Sequence, residues 1–236
     1  MFYTDSDMWR KIAEFARSLG NTEDFISKAR KDFNELLSEY AETCESISSK
    51  YTAKELENSL SMQNFYPWAA HGRFLCLYEL VLSGFRHTAL RELRFYFESS
   101  ARAHFIDTEF NKKTYEVKVR LLNIFRPEKK KKEEDLQAIL CPKQHEKATK
   151  RRPRFGELLK DLPNKKRDEL KDFYGELCSY VHLSEIAQTD ALGDFGLDLA
   201  LRHREYDEDR KMFQKTFAHS KYLLLRTLEK LASYLY

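Results

Sequence analysis

The sequence predicts an all-α protein folded as a single helical bundle, and three observations carry that prediction. Its 236 residues include only 7 Gly and 5 Pro, too little punctuation for many short strands. Charged residues make up 33% beside 42% hydrophobic ones, the balance expected of amphipathic helices with solvated outer faces. Apolar residues also recur at intervals of three and four rather than alternating. With 17 Phe, 13 Tyr and 2 Trp the chain has material for a substantial core. No internal repeat divides it, so residues 1–236 are read as one domain.

Helix signals begin near the N-terminus, where Asp5 or Ser6 caps a short helix to Leu19 and Gly20 suits its C′ position. Asn21 or Thr22 caps a second helix. Its stripe runs Phe25, Ala29, Phe33, Leu36, Tyr40, Cys44, Ile47 and Tyr51, giving a scaffold element roughly 40 Å long. Thr52 caps a shorter helix expected to end before Pro67. Trp68 to Leu82 is apolar nearly all round and reads as a buried central helix, broken by Ser83-Gly84. The next helix spans Phe85 to Phe110, with Leu90, Leu93, Phe97 and Ala101 as its packed face. Thr114 to Phe125 follows, stopped by Pro127.

From Arg126 to Arg154 the composition changes. Eleven Lys/Arg stand against five Asp/Glu there, a local net of +6 in a chain whose total is +3. The segment reads as an exposed, partly mobile basic insertion with one short helix. Helices resume near Phe155. A strong one is predicted over Asn164–His182, with Leu170, Phe173, Leu177 and Val181 inward. Residues 191–206 show no clear period, and Leu197–Leu201 reads as extended. The last helix is expected from Asp207, with Phe213, Phe217, Leu224, Leu228, Leu231 and Leu235 on one face.

Several function classes are excluded. The four cysteines, Cys44, Cys76, Cys141 and Cys178, form no Cys-x-x-Cys pair, so neither a disulfide scaffold nor a zinc ribbon is indicated. The N-terminus lacks a signal-peptide pattern, and no apolar run approaches a membrane span, so a cytoplasmic protein is expected. Asp194-Phe-Gly196 has no accompanying kinase motifs, and phosphate-binding loop, zincin and hydrolase signatures are absent. Cys178 and His182 are spaced i, i+4, as are Cys141 and His145; two such pairs could complete a tetrahedral metal site, but spacing alone is thin support for one. Neither metal nor cofactor is expected.

Two segments carry the candidate site. On the wheel of Phe85–Phe110, His87, Arg91, Arg94, Glu98 and Arg102 fall within about 60° beside the packed face. Arg94 and Glu98 are one turn apart and can pair. This is either a solvated face or a cationic seam in which Glu98 holds Arg94. On the later helix Lys171, Gly175, Cys178 and His182 line up about 135° from the core stripe. A mid-helix Gly costs about 1 kcal/mol relative to Ala, so Gly175 suggests a close approach by a ligand or backbone. His182 titrates near neutrality and is either an acid–base group or a C-terminal helix cap. Lys150, Arg151, Arg152 and Arg154 form a basic run suited to phosphate or to a plain surface loop.

Leu93-Arg94 through Glu98, followed by Tyr174, Leu177, Cys178, Tyr180, His182 and Ser184, resembles the paired helix motifs of the HEPN-like superfamily, in its prokaryotic branch. Cys178 stands where serine is usual. The specific match covers about thirty residues. It implies a helical bundle that dimerises, association with defence or toxin-like systems, and, in catalytic members, metal-independent RNA cleavage. Ribonuclease members use Arg followed by His across a gap of four to six residues; before His182 those positions are Leu177, Glu176 and Gly175, so the standard motif is missing. The leading expectation is a HEPN-like binding protein with RNA or another anionic partner, in which Arg94, Glu98 and His182 line one groove. The alternatives are an endoribonuclease using Arg94 and His182, and a purely structural oligomerisation protein.

Overall fold

The computed structural model describes residues 23–70, 86–125, 153–180 and 199–233. Every regular element among them is an α-helix: α1 (Glu23–Lys50), α2 (Ala53–Asn58), α3 (Leu60–Ala70), α4 (Arg86–Glu109), α5 (Tyr115–Phe125), α6 (Phe155–Leu158), α7 (Asn164–Ser179) and α8 (Leu199–Ser233). The predicted all-α class therefore holds. No described helix is long and apolar enough to cross a membrane. The first predicted helix, most of the Trp68–Leu82 segment and nearly all of the basic insertion lie outside the described residues.

Helix α4 is the centre of the described bundle, packed by α3, α6, α7, α5 and above all α8. Its predicted face is fully buried at Leu90, Leu93, Phe97 and Ala101, and the buried surface widens to Ala89, Tyr96, Ala103 and Ile106. Phe97 is the hub, with ring centroids 5.5 Å from Phe155, 5.2 Å from Phe173 and 6.0 Å from His219. On the other side α1 joins through Tyr40, whose ring lies 5.3 Å from Phe65 and 6.2 Å from Phe217. The α1 stripe is buried at Tyr40, Ile47 and Tyr51, as its spacing predicts. So are Phe213, Phe217, Leu224, Leu228 and Leu231 on α8.

The single helix expected after Thr52 is two. Thr52 does cap: its Oγ1 accepts from Glu55 N–H at 3.3 Å while Glu55 Oε2 accepts from Thr52 N–H at 2.6 Å. The chain then breaks at Ser59, whose Oγ accepts from Met62 N–H at 3.0 Å and starts α3. A capping carboxylate comes from α4: Asp107 accepts from Leu60 N–H at 3.0 Å and Ser61 N–H at 2.8 Å. That long-range cap, 46 residues away for Ser61, fixes a break that local patterning does not announce. Helix α3 also runs past Pro67, which removes one backbone donor without ending the helix.

Two further boundaries differ. Helix α8 begins at Leu199, so the extended reading of Leu197–Leu201 fails from Leu199 onward. Helix α7 stops at Ser179, with Tyr180 as its C-cap, three residues short of the predicted end at His182.

Candidate functional site

The two sequence segments meet. Arg94 and Glu98 on α4 face Tyr174 on α7, across 80 and 76 residues of chain. Arg94 Nη2 donates to Tyr174 Oη at 3.1 Å, and that hydroxyl donates to Glu98 Oε2 at 3.0 Å. Arg94 Nη2 and Glu98 Oε2 are themselves 3.6 Å apart. The other Glu98 oxygen accepts from Arg102 Nη2, one turn further on. One carboxylate thus holds two guanidinium groups and a phenol, leaving the cluster with one excess positive charge.

Packing sets this geometry. Leu170, Phe173 and Leu177 turn the inner face of α7 onto α4, and Tyr174 follows at the edge of that contact. Its ring stacks on Phe155, centroids 3.9 Å apart and planes 6° from parallel. The Arg94 guanidinium lies 5.6 Å from the Tyr174 ring centroid and 5.3 Å from that of Phe95, the exposed large apolar residue of α4. Cys178, one turn beyond Tyr174, is half-buried and acts on the same guanidinium. Arg94 Nε makes no hydrogen bond among the described residues, and its side chain keeps 17% exposure.

Burial and the neighbouring Glu98 carboxylate push the Tyr174 phenol well above its ordinary value, against the opposing pull of Arg94. At neutral pH Tyr174 is therefore a neutral donor to Glu98 and an acceptor from Arg94, not a general base. The arrangement is suited to presenting an oriented cation rather than to moving a proton.

The remaining predicted residues do not all join. Arg91 is exposed and lies 3.9 Å from Glu92, apart from the cluster. Arg102 is buried in the cluster through Glu98. Arg154 is exposed where α6 begins; its backbone N–H donates to Glu157 at 3.0 Å. His182, Lys150, Arg151 and Arg152 lie outside the described residues, as do His145 and Cys141. Of the row predicted on that helix, Lys171, Gly175 and Cys178 lie within α7 as described. Gly175 is exposed, and a Cβ there meets nothing within 4 Å among the described residues, so no described backbone makes the close approach.

Sequence reasoning missed two polar clusters. His104, fully buried on α4, bridges Asp161 (Nε2 to Oδ1, 3.0 Å) and Thr227 (Nδ1 to Oγ1, 2.8 Å), while Lys230 donates to the second Asp161 oxygen. Thr227 is itself fully buried and donates to Leu223 O at 2.7 Å, so its hydroxyl is a tie between helices rather than an accessible nucleophile. In the second cluster Lys118 and Asp107, both inaccessible, pair at 2.9 Å. Lys118 also donates to Asn58 O at 2.7 Å. Nothing local in the sequence distinguishes the buried His104 from an exposed histidine. No protein-family model, curated protein or solved structure matches the chain.

Proposed function

We propose that this chain is a HEPN-like helical binding protein that takes an anionic partner, RNA as the leading class, at the Arg94–Glu98–Tyr174 cluster. The carrying observation is the convergence of α4 and α7 on Arg94, with Tyr174 Oη bridging Arg94 and Glu98 at 3.1 and 3.0 Å. A guanidinium held by a carboxylate and a phenol has lost little further freedom on meeting a phosphate, and Arg102 offsets the Glu98 charge. Exposed Phe95 beside Arg94 supplies an aromatic surface of the kind on which bases stack. The basic run at 126–154 adds long-range attraction. The resemblance of the two helix motifs points the same way, and a homodimer belongs to this reading.

Fluorescence anisotropy with a labelled single-stranded RNA tests it, using wild type, Arg94→Ala and Tyr174→Phe. Binding weakened by about tenfold in Arg94→Ala, with the fold intact by circular dichroism, is the expected result. Unchanged affinity in Arg94→Ala overturns it. The same RNA incubated in chelator with wild type and His182→Ala reports on the enzymatic alternative; cleavage lost in the variant is required for it.

A further inference from the structure

Arg94 and Glu98 depend on Tyr174 to be joined. Their Nη2 and Oε2 atoms stand 3.6 Å apart, an ion pair too long to be a hydrogen bond. The phenol bridges them, accepting from Arg94 at 3.1 Å and donating to Glu98 at 3.0 Å. A phenol has one proton to give and accepts at the same oxygen. It serves both partners only when its lone pair faces Arg94 while its proton faces Glu98. Conjugation favours both directions close to the ring plane, so the plane of Tyr174 decides how well the bridge is made.

The backbone of α7 does not fix that plane. Oη lies on the axis of χ2, so turning the ring leaves the oxygen in place and redirects its proton and lone pair. That torsion is broad, without staggered wells to hold it. Phe155 supplies the restraint. Its ring lies against that of Tyr174 with centroids 3.9 Å apart and planes 6° from parallel, so turning the phenol drives its edge into the Phe155 face.

Phe155 is itself anchored. Its ring centroid is 5.5 Å from that of the fully buried Phe97, and Leu158 and Leu159, one turn on, sit in the core. The start of α6 is closed by Arg154 N–H to Glu157 Oε2 at 3.0 Å and Glu157 N–H to Arg154 O at 2.8 Å. Beside the stack, a Cβ at Gly156 would stand 3.5 Å from Lys171 Cδ, so α6 meets α7 at two successive points. We propose that Phe155 is a positioning residue of the Arg94 cluster: by fixing the plane of the Tyr174 phenol, it fixes the direction in which Arg94 is presented to an anion. Its role in binding rests on the reading of that cluster as an anion site, whereas its hold on the hydroxyl is testable without a ligand.

A double-mutant cycle makes that first test. Tyr174→Phe deletes the hydroxyl and keeps the ring, and urea unfolding of the full chain reads how far it lowers the midpoint in wild type, Phe155→Leu and Phe155→Tyr. The shift is expected to be clearly smaller in Phe155→Leu, where the hydroxyl is already misdirected, and full in Phe155→Tyr, which keeps an aromatic face. Equal shifts in all three backgrounds overturn the proposal and reduce Phe155 to ordinary packing.

Anisotropy with the labelled single-stranded RNA then tests the link to binding. Phe155→Leu is expected to weaken affinity about threefold or more, Phe155→Tyr to stay near wild type, and Phe155→Leu to add nothing once Tyr174→Phe is present. An equal loss with and without the Tyr174 hydroxyl overturns the proposal. Wild-type affinity in Phe155→Leu beside a weakened Arg94→Ala also overturns it and leaves the anion site standing. Arg94→Ala binding as wild type does overturns the anion-site reading, and with it the role of Phe155 in binding, whatever the unfolding cycle shows.

Discussion

His104 Nε2 lies 3.0 Å from Asp161 Oδ1, joining the middle of the bundle to the short link between α6 and α7 across 57 residues. Because Lys230 takes the other carboxylate oxygen and Thr227 the other ring nitrogen, α4, α8 and the link are tied at one point. Burial pushes the Asp161 carboxyl up, but His104 and Lys230 outweigh it and hold the group well below the usual carboxylate range. A carboxyl whose folded value is depressed stabilises the fold above its unfolded value and loses that contribution as pH falls through the folded one. Asp161→Asn is therefore expected to cost on the order of 2 kcal/mol at pH 7 and progressively less in acid. Urea unfolding at pH 7 and near pH 3 checks this; an equal cost at both contradicts it.

His219 also weakens the fold in acid, by refusing a proton rather than by losing an ion pair. Burial, with help from Lys166 and Lys215 and against the pull of Glu169, lowers its value to about 4. Its ring lies 4.8 Å from that of Phe173 and is neutral in the fold at pH 7. Below about pH 6.5 the unfolded chain takes up a proton that the folded chain refuses, so this residue lowers stability as pH falls from about 6.5 towards 4. The loss is at most about 3 kcal/mol. His219→Leu removes that slope, and comparing the two proteins at pH 7 and pH 5 measures it.

The Lys118–Asp107 pair is a buried charge pair without solvent access. Removing one partner strands the other, so Asp107→Ala or Lys118→Met is expected to cost about 3–5 kcal/mol. Asp107→Ala also uncaps α3 at Leu60 and Ser61. The double replacement is expected to cost clearly less than the two single costs added, which a double-mutant cycle by chemical denaturation reads directly.

Gly175 gives a prediction of opposite direction. It is exposed within α7, with open space where a Cβ would stand. Gly175→Ala is expected to stabilise by about 1 kcal/mol, since helix propensity is gained without a clash. A destabilised variant in a thermal melt means that something does occupy that space.

Tyr174→Phe separates the stack from the hydroxyl. The ring retains Phe155 at 3.9 Å, while the bonds to Arg94 and Glu98 are lost. A stability cost of about 1–2 kcal/mol is expected, together with weaker RNA binding because Arg94 is no longer held. Wild-type affinity in this variant separates binding from Arg94's orientation.

Periodicity made the helices legible because burial follows it: Tyr40 and Ile47 on α1, Leu93 and Phe97 on α4, Phe173 and Leu177 on α7, and Phe213 and Phe217 on α8 are buried where their spacing puts them. What it left unread depends on partners distant in sequence. The break at Ser59 is fixed by Asp107, and His104 becomes a core group only when Asp161 and Thr227 arrive from other parts of the chain. The pairing of Arg94 with Glu98 was visible one turn apart on a single helix. Tyr174 stood within the resembling motif, yet its hydroxyl acquires a role only once α7 lies on α4. At Gly175 no described residue supplies the close approach that a helix-weakening glycine suggested.

The salt dependence of RNA affinity tests the central claim most directly. Measured for wild type, Arg94→Lys and Arg94→Ala across a range of salt concentrations, a phosphate contact at Arg94 predicts a log–log slope shallower by about 0.7 in Arg94→Ala on single-stranded RNA. Arg94→Lys is expected to retain most of the slope while losing affinity, since it keeps the charge but not the fork. Identical affinities and slopes in all three proteins contradict the assignment of Arg94 as an anion-binding residue.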